Sequence, residues 1–323
     1  MESKLNYDKI SLETLNENNL KEVHEFCEKN IDLFHQPYQF FKLATLGDSE
    51  FNENLTIVCR YENNEIIGFF MGTTRRGIPF YQGKNVLKFF IVKRELRRKG
   101  LGTFLLNQLY SKFKLQNIKG RIDALCSPPD YWFPGVSMKF TPAIYWLKKN
   151  GFKKSLFGPS YRLNLCVELD NNPYLKFDLE NPPPKEFENI EFQRVNEEYF
   201  EKTYQFVKKH HGLGVWPQEV RNSFKNDPPT TFIAIQKDTK EVIGWATHSA
   251  HFEGSFGPTG VLKSLRGKGI GGILFYWTLY DLKQKGLKKC HILWVGGETV
   301  KYYSKVAGAY ISEICWLMTG KIR

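Results

Sequence analysis

Two stretches of this sequence combine residue types that hold a polyanion: Arg97-Arg98-Lys99-Gly100-Leu101-Gly102 and Arg266-Gly267-Lys268-Gly269-Ile270-Gly271. Each reads Arg-x-Lys-Gly-x-Gly, continued by Thr103 in one copy and Gly272 in the other. Glycines let a backbone approach an anion closely, a helix beginning there aims its unpaired N–H groups outward, and basic side chains add charge. The combination reads as a pyrophosphate cradle. A single Arg-x-x-Gly-x-Gly arises by chance in about one chain of this length in ten at ordinary Gly and Arg frequencies, so the weight rests on the duplication. Two Gly-rich surface turns are the bland alternative.

The elements that must position the cradles lie on either side of them. Residues 86–92, and a shorter run ending near Val261, read as strands leading in. The stretches that follow carry apolar residues at helical spacing: Leu101, Phe104, Leu105 and Leu109 in one, Ile270, Ile273, Leu274 and Trp277 in the other, with Gly286 as a C-cap. The correspondence extends outward. Strand 10–15 and helix 19–29 match strand 190–195 and helix 197–209; the hairpin 55–61/66–69 matches 231–236/242–245. Beyond the cradle helices, strands 121–126 and 290–295 each precede a short helix and a glycine, Gly151 and Gly308. Each half is thus a mixed α/β unit in the order β-α-β-β-β-α-β-α-β. Asp170-Asn171-Asn172-Pro173 and Asn181-Pro182-Pro183-Pro184 interrupt regular structure. They predict domains over 1–170 and 187–323 joined by a proline-rich linker at 171–186.

A chain of 323 residues with 41% hydrophobic and 15% aromatic content suits two folded domains rather than a disordered polymer. The net charge of +12 fits nucleic acid, an acidic surface or a polyanionic small ligand. Its densest cluster, Lys93-Arg94 with Arg97-Arg98-Lys99, belongs to the first cradle. A phosphate-rich small molecule accounts for it, and no nucleic-acid partner is expected. No apolar run approaches the ~18 residues of a membrane span, and no basic-then-apolar leader is visible, so no membrane is expected. Six scattered cysteines without a Cys-x-x-Cys pair read as free thiols of a cytoplasmic protein. His248 and His251 lack a third ligand at a recognisable spacing, so no metal is expected.

The element order, with the cradle after the fourth strand, resembles the GCN5-related N-acetyltransferase (GNAT) superfamily, twice over nearly the whole chain. Residues 92–102 are similar to its acetyl-CoA motif apart from Arg94, where a proline is common, and residues 261–271 fit as well. The resemblance implies an α/β (mixed α+β) fold of two tandem GNAT-type domains. Each is a mostly antiparallel mixed sheet whose fourth and fifth strands splay into a wedge, flanked by helices. It implies acetyl-CoA as co-substrate, its pyrophosphate on the cradles and its pantetheine along Phe90, Ile91 and Val92 or along Thr259, Gly260 and Val261.

The implied chemistry is amine attack on a thioester, which needs a neutral amine, an oxyanion stabiliser and a proton for the departing thiolate. The family's tyrosine before the closing glycine points to Tyr303 as proton donor, with one extra residue before Gly308. In the first half Leu147 stands at that place and Tyr145 two residues earlier. The second domain is therefore expected to be catalytic, and the first a degenerate CoA-binding copy. Glu253, His248 and His251 are the candidates for general base; Glu253, eight residues ahead of Val261, is the choice made here. His210-His211, before Gly212-Leu213-Gly214, reads either as a loop over the substrate side or as a plain helix end. Asp130-Tyr131-Trp132-Phe133 reads as pocket lining or as packing. An N-acetyltransferase acting on a primary amine is the expected function, with a non-catalytic CoA-binding sensor or scaffold as the alternative. A small-molecule amine, a polyamine and a protein lysine all remain open as acceptor.

Overall fold

The computed structural model describes residues 5–32, 36–77, 81–129, 131, 133–155, 160–212 and 214–323. Asp130, Trp132 and Leu213 of the segments singled out above lie outside them. In chain order the first elements are β1 (Ser11–Glu13), α1 (Leu20–Asn30), α2 (Tyr38–Ala44), β2 (Thr56–Arg60), β3 (Ile66–Arg75) and β4 (Lys84–Val92). There follow α3 (Leu101–Leu115), β5 (Arg121–Ala124), β6 (Val136–Ser137), α4 (Thr141–Lys149), β7 (Lys153–Lys154) and β8 (Tyr161–Glu168). The next are β9 (Glu186–Phe187), β10 (Ile190–Arg194), α5 (Glu197–His211), α6 (Trp216–Ser223), β11 (Thr231–Gln236) and β12 (Val242–His248). The last are β13 (Ser255–Val261), α7 (Ile270–Gln284), β14 (Lys289–Val295), α8 (Glu298–Ala307), β15 (Tyr310–Trp316) and β16 (Met318–Lys321).

Both cradle helices begin where the glycines predict, α3 at Leu101 and α7 at Ile270, and Gly286 closes the second in the left-handed conformation. Helices α2 and α6 were not foreseen. At seven and eight residues they are too short to show a hydrophobic period; the local signal for them is a proline at the start, Pro37 before α2 and Pro217 in the first turn of α6.

Packing divides the chain into Met1–Tyr161 with Cys315–Arg323, and Arg162–Ile314. The division does not fall at the expected 171–186 linker. Composition marks where regular structure breaks, whereas strand pairing decides membership. β8, ahead of the break, pairs antiparallel with β14 through Glu168↔Lys289 and Leu165↔Ile292. β16, near the end of the chain, lies between β5 and β7, with Thr319 opposite both Asp123 and Lys153.

The sheet of the first unit runs β1-β2-β3-β4-β5-β16-β7, antiparallel except where β4 meets β5. In the second unit β9 to β13 are antiparallel neighbours, and β13 meets β14 in parallel. The cradle helices lie directly on the hairpin strands. A Cβ at Gly68 would stand 2.5 Å from Leu105 and one at Gly72 2.6 Å from Phe113, so glycine is what lets α3 settle on β3. In the second unit α7 buries Ile270, Leu274, Phe275 and Leu279 against one face of the sheet, while α5 buries Phe206 and Val207 against the other, with Ile233, Ile235 and Trp245. Among the described residues no helix is long and apolar enough to cross a membrane, and no three His, Cys, Asp or Glu are grouped to hold a metal ion.

Met318, on the strand inserted beside β5, is 1% exposed in the core of the first unit. Met318→Ala is expected to destabilise that unit by about 2–5 kcal/mol, although the residue is far along the chain from the rest of it. Hydrogen exchange should show faster opening of β5 and β4 with little change in β11 and β12.

Candidate functional site

In both units the two parallel strands part. β4 pairs with β5 at residues 85–87 only, and β13 with β14 at Ser255 and Phe256 only. Beyond each fork, 88–92 and 257–261 keep a neighbour on one side, β3 or β12, and none from the parallel strand. The parting strand turns away through a left-handed residue, Leu125 (φ 67°) in one unit and Trp294 (φ 58°) in the other. An open strand edge offers N–H and C=O groups that need partners, and an extended ligand carrying amides can supply them.

At the end of β13 the chain makes a short 3-10 turn over Lys263–Leu265 and reaches Gly267 (φ 83°) and Gly269 (φ 86°). Both backbone conformations favour glycine, and a Cβ added at either would meet nothing within 4 Å. α7 starts at Ile270 without a side-chain cap, and the N–H groups of Ile270 and Gly271 have no hydrogen-bond partner among the described residues. Lys263, Arg266 and Lys268 are exposed and form no ion pair among the described residues; Arg266 Nε donates to the Val261 carbonyl at 3.3 Å. Backbone donors, free cations and room for an anion therefore coincide at this cradle. The open half of β13 leading to it, Gly257-Pro258-Thr259-Gly260-Val261, is made of small residues, and Thr259 turns its hydroxyl away to the Trp245 carbonyl.

Two tyrosines of α8 stand beside this wedge. The Tyr302 hydroxyl lies 3.6 Å from where a side chain at Gly271 would begin; the residue is 40% exposed, and partial desolvation, helped by Tyr276, raises its pKa to about 12. Tyr303 is only 5% exposed, its ring edge-on to Phe256 at 5.8 Å and to Phe275 at 5.1 Å, at the fork itself. Its hydroxyl makes no hydrogen bond among the described residues. Burial first, then Tyr302 and Cys290, holds this phenol neutral far above the usual range.

The three candidate bases are dispersed. His248 is fully buried and bonded to Asp281 at 2.8 Å and Ser249 at 3.0 Å; burial lowers its pKa against the pull of Asp281. His251 lies 3.5 Å from Glu219, both buried. Glu253 is exposed in the turn before β13, at the paired end of the fork. His210 and His211 close α5 rather than forming a loop.

The same backbone is filled differently in the first unit. Trp146 of α4 stacks on Phe90 (5.4 Å, 25°), donates to Thr103 at 3.2 Å, and lies 3.3 Å from the Cβ position of Gly102. Trp146 thus stands where Tyr302 stands in the other unit, and the buried Leu147 answers to Tyr303. The Tyr7 hydroxyl reaches within 2.9 Å of a Cβ at Gly100. Arg97 is bonded to the Asn30 carbonyl, Arg94 to Asp32 at 2.6 Å and Lys93 to Glu65 at 2.6 Å; Arg98 holds the left-handed conformation (φ 65°) that Gly267 holds in the second copy. Ile91 is buried in place, and Lys88, beside the bulge of β4, is buried against Asp48. Asp48 also pairs with Arg75 at 2.6 Å. Burial pushes the Asp48 carboxyl up, but Lys88 and Arg75 outweigh it and hold the group ionised far below its ordinary range. Of the aromatic stretch, Tyr131 is buried and Phe133 packs edge-on against Phe140 at 5.8 Å, a packing role. The contrast between Lys88-Phe89-Phe90-Ile91 and Gly257-Pro258-Thr259-Gly260 is visible in the sequence and is the signal by which the two wedges could have been told apart.

The sequence model of the acetyltransferase (GNAT) family matches residues 15–131 and 190–308. No curated protein resembles the chain at the level of sequence. Among solved structures, a GCN5-related glucosamine N-acetyltransferase region of a fungal multi-domain GH3 β-N-acetylglucosaminidase is similar at 19% identity and TM-score 0.70; the match covers 96% of this chain and 38% of that one. A tandem GNAT protein from the clavulanic acid biosynthesis pathway is similar at 14% identity and TM-score 0.68, covering 97% of this chain and 99% of that one. A GCN5-related N-acetyltransferase from Sphaerobacter thermophilus gives 15%, 0.65, 98% and 96%.

Gly269→Val tests the second cradle. The β-branched side chain would force a left-handed backbone at a cost of about 1–2 kcal/mol and fill the space over the first turn of α7. Titration calorimetry with CoA should show at least a ~10-fold loss of affinity; unchanged affinity would refute the cradle.

Proposed function

From its membership of the acetyltransferase (GNAT) family, we propose that this protein is an N-acetyltransferase moving the acetyl group of acetyl-CoA to a primary amine by direct attack, in the wedge of the second unit. The observation that carries the reading is the open half of β13: an unpartnered strand edge of small residues, running from a buried phenol at the fork to a cradle of free cations. The first unit carries the same motif, but its own side chains fill the corresponding volume.

The residues divide the work as follows. Arg266, Lys268 and the N–H groups at the start of α7 hold the pyrophosphate. The free edge over Thr259, Gly260 and Val261 pairs with the pantetheine amides, and an N–H of that edge steadies the negative charge that develops on the thioester oxygen. The thioester supplies an activated acyl carbon and a thiolate leaving group. Tyr303, kept protonated by its burial, gives that thiolate a proton from the fork. Tyr302 lies further toward the cradle, beside Gly271 and Gly272. The six cysteines, none of them in a disulfide, fit a reducing, cytoplasmic setting. The first unit is then a degenerate copy: Trp146 and Tyr7 occupy its seat, so it binds CoA weakly and does not turn over.

Release of free CoA, measured with acetyl-CoA and a panel of glucosamine, spermidine and a lysine peptide, tests the reading. Tight binding without turnover on any amine would instead favour a CoA sensor. Tyr303→Phe should slow the chemical step by about 10²–10⁴-fold with CoA affinity nearly unchanged, and Tyr302→Phe should cost much less; the reverse order would transfer the donor role to Tyr302. In calorimetry the wild-type chain should take up one CoA tightly, and replacing Trp146 and Tyr7 by alanine should strengthen binding at a second, weaker site.

A further inference from the structure

An amine that attacks a thioester must shed a proton, and the reading above, on which this inference rests, leaves that proton without a destination. Gly260 lies in the middle of the open half of β13. A Cβ there would stand 2.6 Å and 2.7 Å from the ring carbons Cζ3 and Cη2 of Trp245, and 3.1 Å from Nε2 of His211. Glycine at 260 is therefore what allows an imidazole and an indole to close over the strand. The His211 ring is held between Trp245 (4.9 Å, 64°) and Trp216 (5.3 Å, 34°). Neither ring nitrogen has a hydrogen-bond partner among the described residues.

The alternatives stand elsewhere. His248 is bonded to Asp281 and Ser249, and His251 is paired with Glu219. Glu253, the base chosen from the sequence, is exposed in the turn ahead of β13 and sits beyond the paired end of the fork. Its spacing in the sequence was suggestive, but it stands on the far side of the paired residues Ser255 and Phe256 from the open stretch.

The two faces of the sheet also separate the two proton transfers. Trp245, with Phe206, Ile233 and Ile235, packs on the α5 side, whereas Tyr303, with Phe256, Ala246 and Phe275, packs on the α7 side. Neighbouring residues of β12, Trp245 and Ala246, point to opposite faces as a strand requires. We propose that His211 is the general base: its Nε2 takes the proton of the acceptor amine from the α5 face of the sheet. The N–C bond forms as the C–S bond breaks. One proton passes from nitrogen to His211, one passes from Tyr303 to sulfur, and both side chains return to their resting states by exchange with solvent.

The surroundings suit a base at neutral pH. Burial, then Arg266 after β13, then His210 on the same helix, lowers the His211 pKa, so the imidazole is neutral. Trp216 and Trp245, the other groups against it, carry no titratable proton in this range.

The test uses the full chain with acetyl-CoA and two nucleophiles, glucosamine and hydroxylamine; hydroxylamine is weakly basic and depends far less on a protein base. His211→Gln should cut transfer to glucosamine by about 10²–10⁴-fold, leave transfer to hydroxylamine within tenfold, and keep CoA affinity in calorimetry. After allowance for the fraction of glucosamine present as free amine, the wild-type kcat/KM should still fall as pH drops below the ordinary histidine range, about 6.5, and the variant should lose that remaining limb. In wild type, the His211 ring resonances should move when acetyl-CoA saturates the site. An unaltered glucosamine rate in the variant, equal losses on both nucleophiles, or ring resonances that ignore bound acetyl-CoA would each overturn the assignment. A wild-type chain that transfers to neither nucleophile would defeat the transferase reading, and this proposal with it. A wild-type chain that transfers while the variant transfers equally well defeats the base alone.

Discussion

Five residues of backbone with a strand on one side and none on the other are the constraint around which the second unit is built. A strand edge inside a sheet carries N–H and C=O groups that must be satisfied by chain, water or ligand. Here the parallel neighbour leaves after Phe256, because β14 is bulged and Trp294 adopts a left-handed backbone. The edge it vacates is bordered by glycine, proline and threonine rather than by bulky side chains. The cradle is registered to that edge because α7 lies on Gly244 through Leu274, so the helix N-terminus falls at the strand's end.

In the first unit the same fork is lined by bulky side chains instead of small ones. Its open edge is packed by Phe90 and Trp146, and its cradle arginines are engaged by Asn30 and Asp32. Lys88, Asp48 and Arg75 form a buried charged cluster beside the bulge. Burying three charges is costly unless each is paired, and here Asp48 is shared between both cations.

Much of the candidate site was legible because its signals are local. The glycines and cations of each cradle are adjacent in sequence, and the apolar stripes of α3 and α7 repeat at helical spacing. The forked pair was reachable through the family resemblance rather than through periodicity. Helices α2 and α6 were too short to declare themselves, and the proline-rich break around 171–186 did not coincide with the division by packing, since β8 and β16 are claimed by sheets through long-range pairing.

The proposed general base shows the limit most clearly. Distance along the chain favoured Glu253, in the turn before β13, over His211, which precedes Gly260 by nearly fifty residues. Packing reverses that order: α5 folds back over the sheet and a glycine at 260 lets the imidazole touch the strand. The sequence alone showed two similar α/β halves, a glycine- and cation-rich stretch at a helix start in each, and a tyrosine, Tyr303, in the second where the first has Leu147. Those properties depend on residues within a few positions of one another. Which strands complete each sheet and which side chain overhangs the open edge were decided by tertiary structure, because each depends on atoms brought together across dozens of residues by burial and strand pairing.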